Sequence, residues 1–233
     1  MNSSLRIATW NTNGPAQLRG KHAHLSAILF DVAAVQECEF YPLGTAVNTV
    51  SNPQEYGTGI RHISILSPHR LEAIRDAPEC TAAAFVDSPV GTFLFVSVWV
   101  RKIPSGAGKY QYVNRLPPIF DWARTAAAGL PCVIAGDFNC NAAFDSGRGK
   151  EFSRLVDVWK NSHGLMSSWH HFRNTSPGIG EEPTWRSGMR ADTPEYMIDY
   201  IFVPTSWAID LVRLQELYGS DHRPVIADVR PSF

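Results

Sequence analysis

The chain has 233 residues, of which 44% are hydrophobic and 11% aromatic, enough apolar material for a packed core and too much for a disordered chain. Its formal net charge of -1 excludes a protein that coats nucleic acid by bulk charge, while leaving room for a local basic groove. No run reaches the roughly 18 apolar residues of a membrane span, and the opening MNSSLRIATW lacks the basic-then-apolar pattern of a secretory leader.

In chain order, residues 5–10 read as a strand and are followed by a helix carrying Leu18, Leu25, Ile28 and Leu29 near helical spacing. Strands follow at 32–36, 62–66, 82–86 and 93–100. The last of these, FLFVSVWV, is apolar almost throughout, as a strand covered on both faces must be. Pro117-Pro118 opens a second helix carrying Ile119, Phe120, Ala123 and Ala127. After a strand at 132–135 comes a third helix with Phe152, Leu155, Val156 and Trp159, which Gly164 is placed to end. Residues 173–195 form a long loop rich in Gly and Pro, of a kind that is functional or mobile in compact domains. Strands at 196–203 and 225–229 complete the pattern. With no repeat, low-complexity tract or linker, it predicts one domain over residues 1–233, a layered α/β sandwich of mixed strands covered by helices.

Cys38, Cys80, Cys132 and Cys140 form no C-x-x-C pair, so a zinc ribbon is not expected. Free thiols that act as small core fillers in a reducing cytoplasm are the plain reading.

Polar residues sit at the ends of five apolar strands. Asn11 follows the first, Glu37 the second, and Asp137 and Asn139 lie in GDFN; Asp199 lies in MIDY, and Ser220-Asp221-His222 precedes the last strand. Any one of these is most simply a solvated turn residue. Five that converge on one rim make a hard-cation site and the equipment for phosphoester hydrolysis. Glu37 and Asp221 are oxygen donors suited to Mg2+ or Mn2+, with Asn11 as a neutral ligand or orienter. Asp137 is placed to align or deprotonate a water. Asn139, two residues on, shares its face if the strand continues and can donate to a phosphate oxygen. An imidazole at His222 held by Asp199 is fixed in tautomer and stays protonated, ready to stabilise a phosphorane-like state.

ATWNTNG, VQE, GDFN, IDYIF and SDHRPV occur in this order between Asn11 and His222. The set resembles the endonuclease/exonuclease/phosphatase superfamily, which includes AP endonucleases, DNase-like nucleases, deadenylases, sphingomyelinases and inositol polyphosphate 5-phosphatases. The resemblance implies a four-layer αββα sandwich with its site at one rim of two facing sheets. It implies metal-site roles for Asn11, Glu37 and Asp221, a water-activating and phosphate-binding pair in Asp137 and Asn139, and a carboxylate–imidazole pair in Asp199 and His222. The chain departs from the pattern at Ser97-Val98-Trp99-Val100, where AP endonucleases carry N-x-Y-V-P and the phosphatase branches N-T-H. Met197 stands where arginine is common in nucleases, and Asn13 where some relatives have aspartate.

Between Ser88 and Phe120 there is no acid, while Arg101, Lys102, Lys109 and Arg115 are interleaved with Tyr110 and Tyr112. Basic charge holds phosphates and aromatic planes stack on unpaired bases. The candidate substrate contacts are Trp99, Arg101, Lys102, Arg148 beyond GDFN, and His171 before the long loop. The expected activity is a Mg2+-dependent nuclease acting on DNA or RNA. A phosphatase acting on a small phosphorylated metabolite or lipid head group is the alternative, and a non-catalytic binding module ranks last. No obligate protein partner is indicated.

Overall fold

A computed structural model of the chain describes residues 4–14, 16, 18–39, 47–56, 59–101, 112–145, 151–187 and 193–232. Strands are numbered in chain order. Six of them, β1 (Leu5–Asn11), β2 (Val32–Cys38), β3 (Asn48–Tyr56), β4 (Gly59–Ser67), β13 (Ala208–Leu214) and β14 (Val225–Arg230), form one mixed sheet in the order β13-β14-β1-β2-β4-β3. A second mixed sheet takes β5 (Arg70–Ile74), β6 (Thr81–Ser88), β7 (Gly91–Trp99), β8 (Cys132–Asp137), β9 (Leu165–Ser167) and β12 (Asp199–Pro204), in the order β5-β6-β7-β8-β12-β9. Within the first sheet β1 and β2 run parallel, as do β7 and β8 in the second; the other pairs are antiparallel.

Strand alternation decides which layer each residue enters. Leu5, Ile7, Val32, Ala34, Ile63 and Ile65 point into the space between the sheets. Their neighbours Ala8, Trp10, Ala33, Val35 and Leu66 point outward against Leu25 and Ile28 of the segment containing helix α1 (Leu18–Ala27). On the far side, α2 (Leu116–Ala126) and α3 (Glu151–Ser162) cover the second sheet, where Phe120 stacks on Trp159 at 3.7 Å and both meet Phe202 edge-on. The result is the expected four-layer α/β sandwich. FLFVSVWV is buried along its length because it lies between α2 and the facing sheet.

Leu29, assigned to the apolar side of α1, is 76% exposed, because the helix ends at Ala27 and Leu29 takes a left-handed φ of 54°. The strand expected over 196–203 is broken into β11 (Glu195–Tyr196) and β12, since the Ile198 carbonyl turns to accept from Phe138 N–H. The segment 173–195 is not structureless. It contains β10 (Trp185–Arg186), which pairs with β11, and it is pinned through Glu181. That buried carboxylate accepts from His170 Nε2 at 2.7 Å, Asn141 Nδ2 at 2.6 Å and Gly178 N–H at 2.9 Å. Helix α4 (Ser168–Arg173), which supplies His170, packs on β12 and β13. All four cysteines are buried and unpaired, and burial lifts the Cys38 and Cys132 thiols to about 12, which leaves them inert fillers at neutral pH. No helix among the described residues is long and apolar enough to cross a membrane.

Gly136 marks where β7 and β8 approach most closely. Its φ is 152°, and a Cβ there would lie 2.0 Å from the Val98 carbonyl oxygen. Gly136→Ala should therefore cost about 3 kcal/mol through backbone strain and overpacking, lowering Tm by roughly 6–12 °C for a chain of this size; an unchanged thermal melt would contradict the close approach. Glu181 gives a pH-dependent prediction. Burial pushes its pKa up, but the hydrogen bonds from His170, Gly178 and Asn141 outweigh this and hold it below the ordinary 4.5. A depressed carboxyl stabilises above its unfolded value and loses that contribution as pH falls through its folded value. Glu181→Gln should melt below wild type at neutral pH, with the gap closing in melts recorded as pH drops under about 4.5; a constant gap would count against the lowered carboxyl pKa.

Candidate active site

Toward the carboxyl ends of β1, β2 and β8 the inter-sheet face changes from apolar to polar. Thr9 and Asn11 continue the row of Leu5 and Ile7; Gln36 continues Val32 and Ala34; Asp137 ends β8. Gln36 Nε2 crosses to Ser97 Oγ at 3.2 Å, so the sheets are joined by a polar contact beneath the site.

Asp137 and Asp199 are direct cross-strand partners on β8 and β12, and both are essentially buried, at 1% and 0% exposure. Two carboxylates so placed repel each other and are stripped of water. Burial first, and the Asp199 charge second, push the Asp137 pKa upward, against the pull of His222 and Asn11. His222 supplies the compensating charge, with Nδ1 2.9 Å from Asp199 Oδ2. Burial alone would lower its pKa, but Asp199, through charge and hydrogen bond, with Asp137 and Asp221, raises it to about 9. The imidazole is therefore cationic at neutral pH. Its Nε2 lies 4.0 Å from Asp221 Oδ1.

The loop before β14 is fastened on several sides. Ser220 Oγ donates to the Asn11 carbonyl at 2.7 Å and accepts from His222 N–H, and Trp10 Nε1–H donates to the His222 carbonyl. Thr184 fixes the other end of the pair. Its hydroxyl donates to Asp199 Oδ2 at 2.6 Å and accepts from the Ile198 and Asp199 amides. Trp185 Nε1–H donates to Asp221 Oδ2 at 3.0 Å.

Asn11 joins the two sheets: Nδ2 donates to Glu37 Oε1 at 3.0 Å and to Asp137 Oδ2 at 2.9 Å, while Oδ1 accepts from Asn13 N–H. With its amide so engaged, Asn11 acts here as an orienter of carboxylates. Simple alternation would send Glu37 outward with Val35. A bulge between Val35 and Cys38 and a φ of 51° turn it back to the site. Asn139 is also brought in by a turn, because β8 stops at Asp137 and the expected continuation of the strand does not occur. With φ 49°, Asn139 donates its backbone N–H to Asp137 Oδ1 and its Nδ2 to Asp137 Oδ2 and the Val100 carbonyl, so it orients Asp137.

Two sets of oxygen and nitrogen atoms bear on a metal. Asp137, Asp199 and His222 each offer an atom within 4.8 Å of the others. His222 Nδ1 is committed to Asp199, an arrangement suited to handling protons. Glu37 and Asp221 are a second set of hard donors, and Asp221 Oδ1, like Asp199 Oδ1, is buried with no hydrogen-bond partner among the described residues. Burial raises the Glu37 pKa, a cost that a nearby cation would offset.

Of the expected substrate contacts, Trp99 pairs in register with Asp137 but is 2% exposed, so its ring is a wall of the site with no open stacking face. Arg101 lies over that ring at 5.1 Å and is bonded to Gln54 Oε1 and the Glu55 carbonyl. His171 is exposed on α4 and has no described contact with the cluster. Lys102 and Arg148 lie outside the described residues. Reading the sequence missed Thr184 and Trp185, and also Lys21, whose buried ammonium donates to the Thr12 and Gly14 carbonyls. The Asp-Thr-Trp side of the site carried no signal except polar and aromatic residues inside a Gly/Pro-rich loop.

A cleft of about 530 Å³ opens beside Asn139, lined by Tyr112, Phe144, Trp185, Tyr196 and Ile198. Phe144 meets Tyr196 edge-on at 4.6 Å, and Trp185 lies nearly parallel to Tyr196.

No curated protein matches the chain by sequence. Solved structures do share its fold. An endonuclease/exonuclease/phosphatase from Beutenbergia cavernae superposes with a TM-score of 0.68 at 17% identity, over 97% of this chain and 71% of that one. D. rerio TDP2 in complex with a single-strand DNA product gives 0.70 at 14% identity over 99% and 100%. The endonuclease domain of TRAS1, a telomere-specific non-LTR retrotransposon, gives 0.65 at 16% over 97% and 98%. The sequence profile of the Endonuclease/Exonuclease/phosphatase family matches residues 8–222, which takes in every strand-end residue described above. The chain belongs to that family of phosphoester hydrolases.

Proposed function

We propose that the chain is a divalent-metal-dependent phosphodiesterase that cleaves nucleic-acid strands by in-line attack of water. The observation that carries this reading is the buried Asp137–Asp199–His222 unit set against the Glu37 and Asp221 carboxylates. Asp137, oriented by Asn11 and Asn139, aligns the water and takes its proton as oxygen attacks phosphorus; the opposite P–O bond breaks, and the departing strand's oxygen takes a proton from solvent. The His222 imidazolium, fixed by Asp199, presents Nε2–H to a phosphate oxygen as negative charge builds there. A divalent cation held by Glu37 and Asp221 would neutralise the phosphate oxygens and strengthen the electrophile.

The substrate class is supported by the aromatic cleft beside Asn139, since base–aromatic stacking holds an unpaired nucleotide regardless of sequence. A structural relative was crystallised with single-strand DNA, and another is the endonuclease domain of a retrotransposon, which is consistent with this reading.

The test is cleavage of single-stranded DNA, duplex DNA and RNA with Mg2+ or Mn2+, and again with chelator. Chelation should abolish turnover. His222→Gln and Asp137→Asn should each lower kcat about 10²–10⁴-fold, and Glu37→Gln should raise the metal concentration required by about 10-fold or more. Wild-type rates in the His222 variant would remove its assigned role. Small phosphoesters turned over faster than any oligonucleotide would favour a phosphatase instead.

Thr184 is a positioning residue in this scheme. Thr184→Val strips Asp199 of a donor and leaves two buried amides unsatisfied, at about 1–3 kcal/mol each. The expected result is a fall in kcat of about 10-fold or more, with KM little changed and activity restored by Thr184→Ser. Equal activity in the Val and Ser variants would leave Thr184 with no part in the reaction.

A further inference from the structure

Arg61 stands on β4 in the same alternation as Ile63 and Ile65, which face the inter-sheet core, so its side chain emerges on the site side of the sheet. Its guanidinium lies flat against Gly14: Nε and Nη2 come within 3.1 Å of where a Cβ on Gly14 would sit. Gly14 N–H in turn donates to the Glu37 carbonyl at 3.0 Å, so the guanidinium is one backbone's width from the residue expected to hold the metal. Arg61 and Glu37 interact electrostatically. Yet among the described residues no carboxylate lies within ion-pair distance of Arg61, and no hydrogen-bond acceptor is found for it.

Its neighbours are committed elsewhere. Lys21 is spent on the carbonyls of Thr12 and Gly14. Gln54, the cross-strand partner of Arg61, accepts from Arg101 Nη2 at 2.6 Å, while Arg101 Nη1 is held by the Glu55 carbonyl and the fork rests on Trp99. Arg101 is therefore a fixed positive charge at Gln54, whereas the Arg61 fork has no hydrogen-bond or ion-pair partner among the described residues. A guanidinium with no hydrogen-bond partner among the described residues, beside a site for phosphate chemistry, offers parallel N–H donors that match a phosphate bidentately.

We infer that Arg61, backed by Arg101 through Gln54, forms a second anion subsite on the Glu37 side of the centre, which takes the backbone phosphate next to the scissile one. The inference rests on the phosphodiesterase reading above and narrows it to substrates carrying at least two adjacent phosphodiesters. The aromatic cleft beside Asn139 has no lining residue in common with this subsite.

The experiment compares an oligonucleotide with bis(4-nitrophenyl) phosphate, which has one phosphodiester and nothing beside it. In Arg61→Ala the ratio of kcat/KM for oligonucleotide over the chromogenic ester should fall about 10–100-fold, and the salt slope for oligonucleotide binding should drop by about one. Arg61→Lys should keep the salt slope while losing part of the ratio. In wild type, an oligonucleotide whose neighbouring phosphate is a neutral methylphosphonate should reproduce the Arg61→Ala loss. An unchanged ratio, or equal falls on both substrates, overturns the subsite while leaving cleavage and its dependence on His222 in place. A wild type that cleaves neither substrate overturns both the subsite and the function on which it rests.

Discussion

Two buried carboxylates side by side on adjacent strands are the constraint on which the rest of this structure depends. Asp137 and Asp199 face each other across the β8–β12 ladder almost without solvent, an arrangement that is unfavourable unless a cation and donors compensate it. His222 is that cation, and it comes from the loop leading into β14 of the opposite sheet. Asn11, also from the opposite sheet, brings the neutral donor. The two sheets are thus brought into relation at this rim by charge and hydrogen bonds, whereas deeper in the sandwich Ile7, Val32, Ile63 and their partners do so by packing. The same compensation that lets the carboxylates be buried keeps the imidazole protonated. In the proposed function, stability and proton handling are one electrostatic arrangement.

The surrounding backbone is bent to serve that arrangement. Among the described residues only seven non-glycine positions take positive φ, and three of them, Asn13, Glu37 and Asn139, lie at the site. Each turns a chain out of strand alternation so that a side chain or an amide reaches Asn11 or Asp137. Asn tolerates the left-handed region well; Glu does not, so Glu37 holds its conformation against a local preference. Gly136 takes the opposite role, omitting a side chain where β7 must come close to β8 so that Trp99 and Asp137 share a row.

Much of this was legible in the sequence because polarity at the end of an apolar strand is a local signal. Asn11, Asp137, Asp199 and the SDH loop stand out against their neighbours, and the central strands announce themselves by continuous apolar runs. The edge strands did not. β3 carries Pro53 and little apolar character, β5 is largely exposed, and β13 is apolar on one side only, so their pairing is a tertiary outcome. Thr184 and Trp185 were hidden for a different reason. Their value lies in what they touch, Asp199 and Asp221, and nothing in a Gly/Pro-rich stretch reports that contact. Asn139 reaches the site through a turn after Asp137 and not along a continuing strand, and there it also bonds Asp137, a contact the strand pattern did not show. Arg61 could not be singled out among the other basic residues until Gly14 and Glu37 were seen beside it.

In the proposed function the acidic rim divides into a proton-handling trio and a separate metal-holding pair. Anomalous scattering from a crystal soaked in Mn2+ measures that division directly. The ion should lie about 2.0–2.2 Å from carboxylate oxygens of Glu37 and Asp221, with the His222 ring uncoordinated and still bonded to Asp199. Density bound to the His222 nitrogen between Asp137 and Asp199 would contradict it.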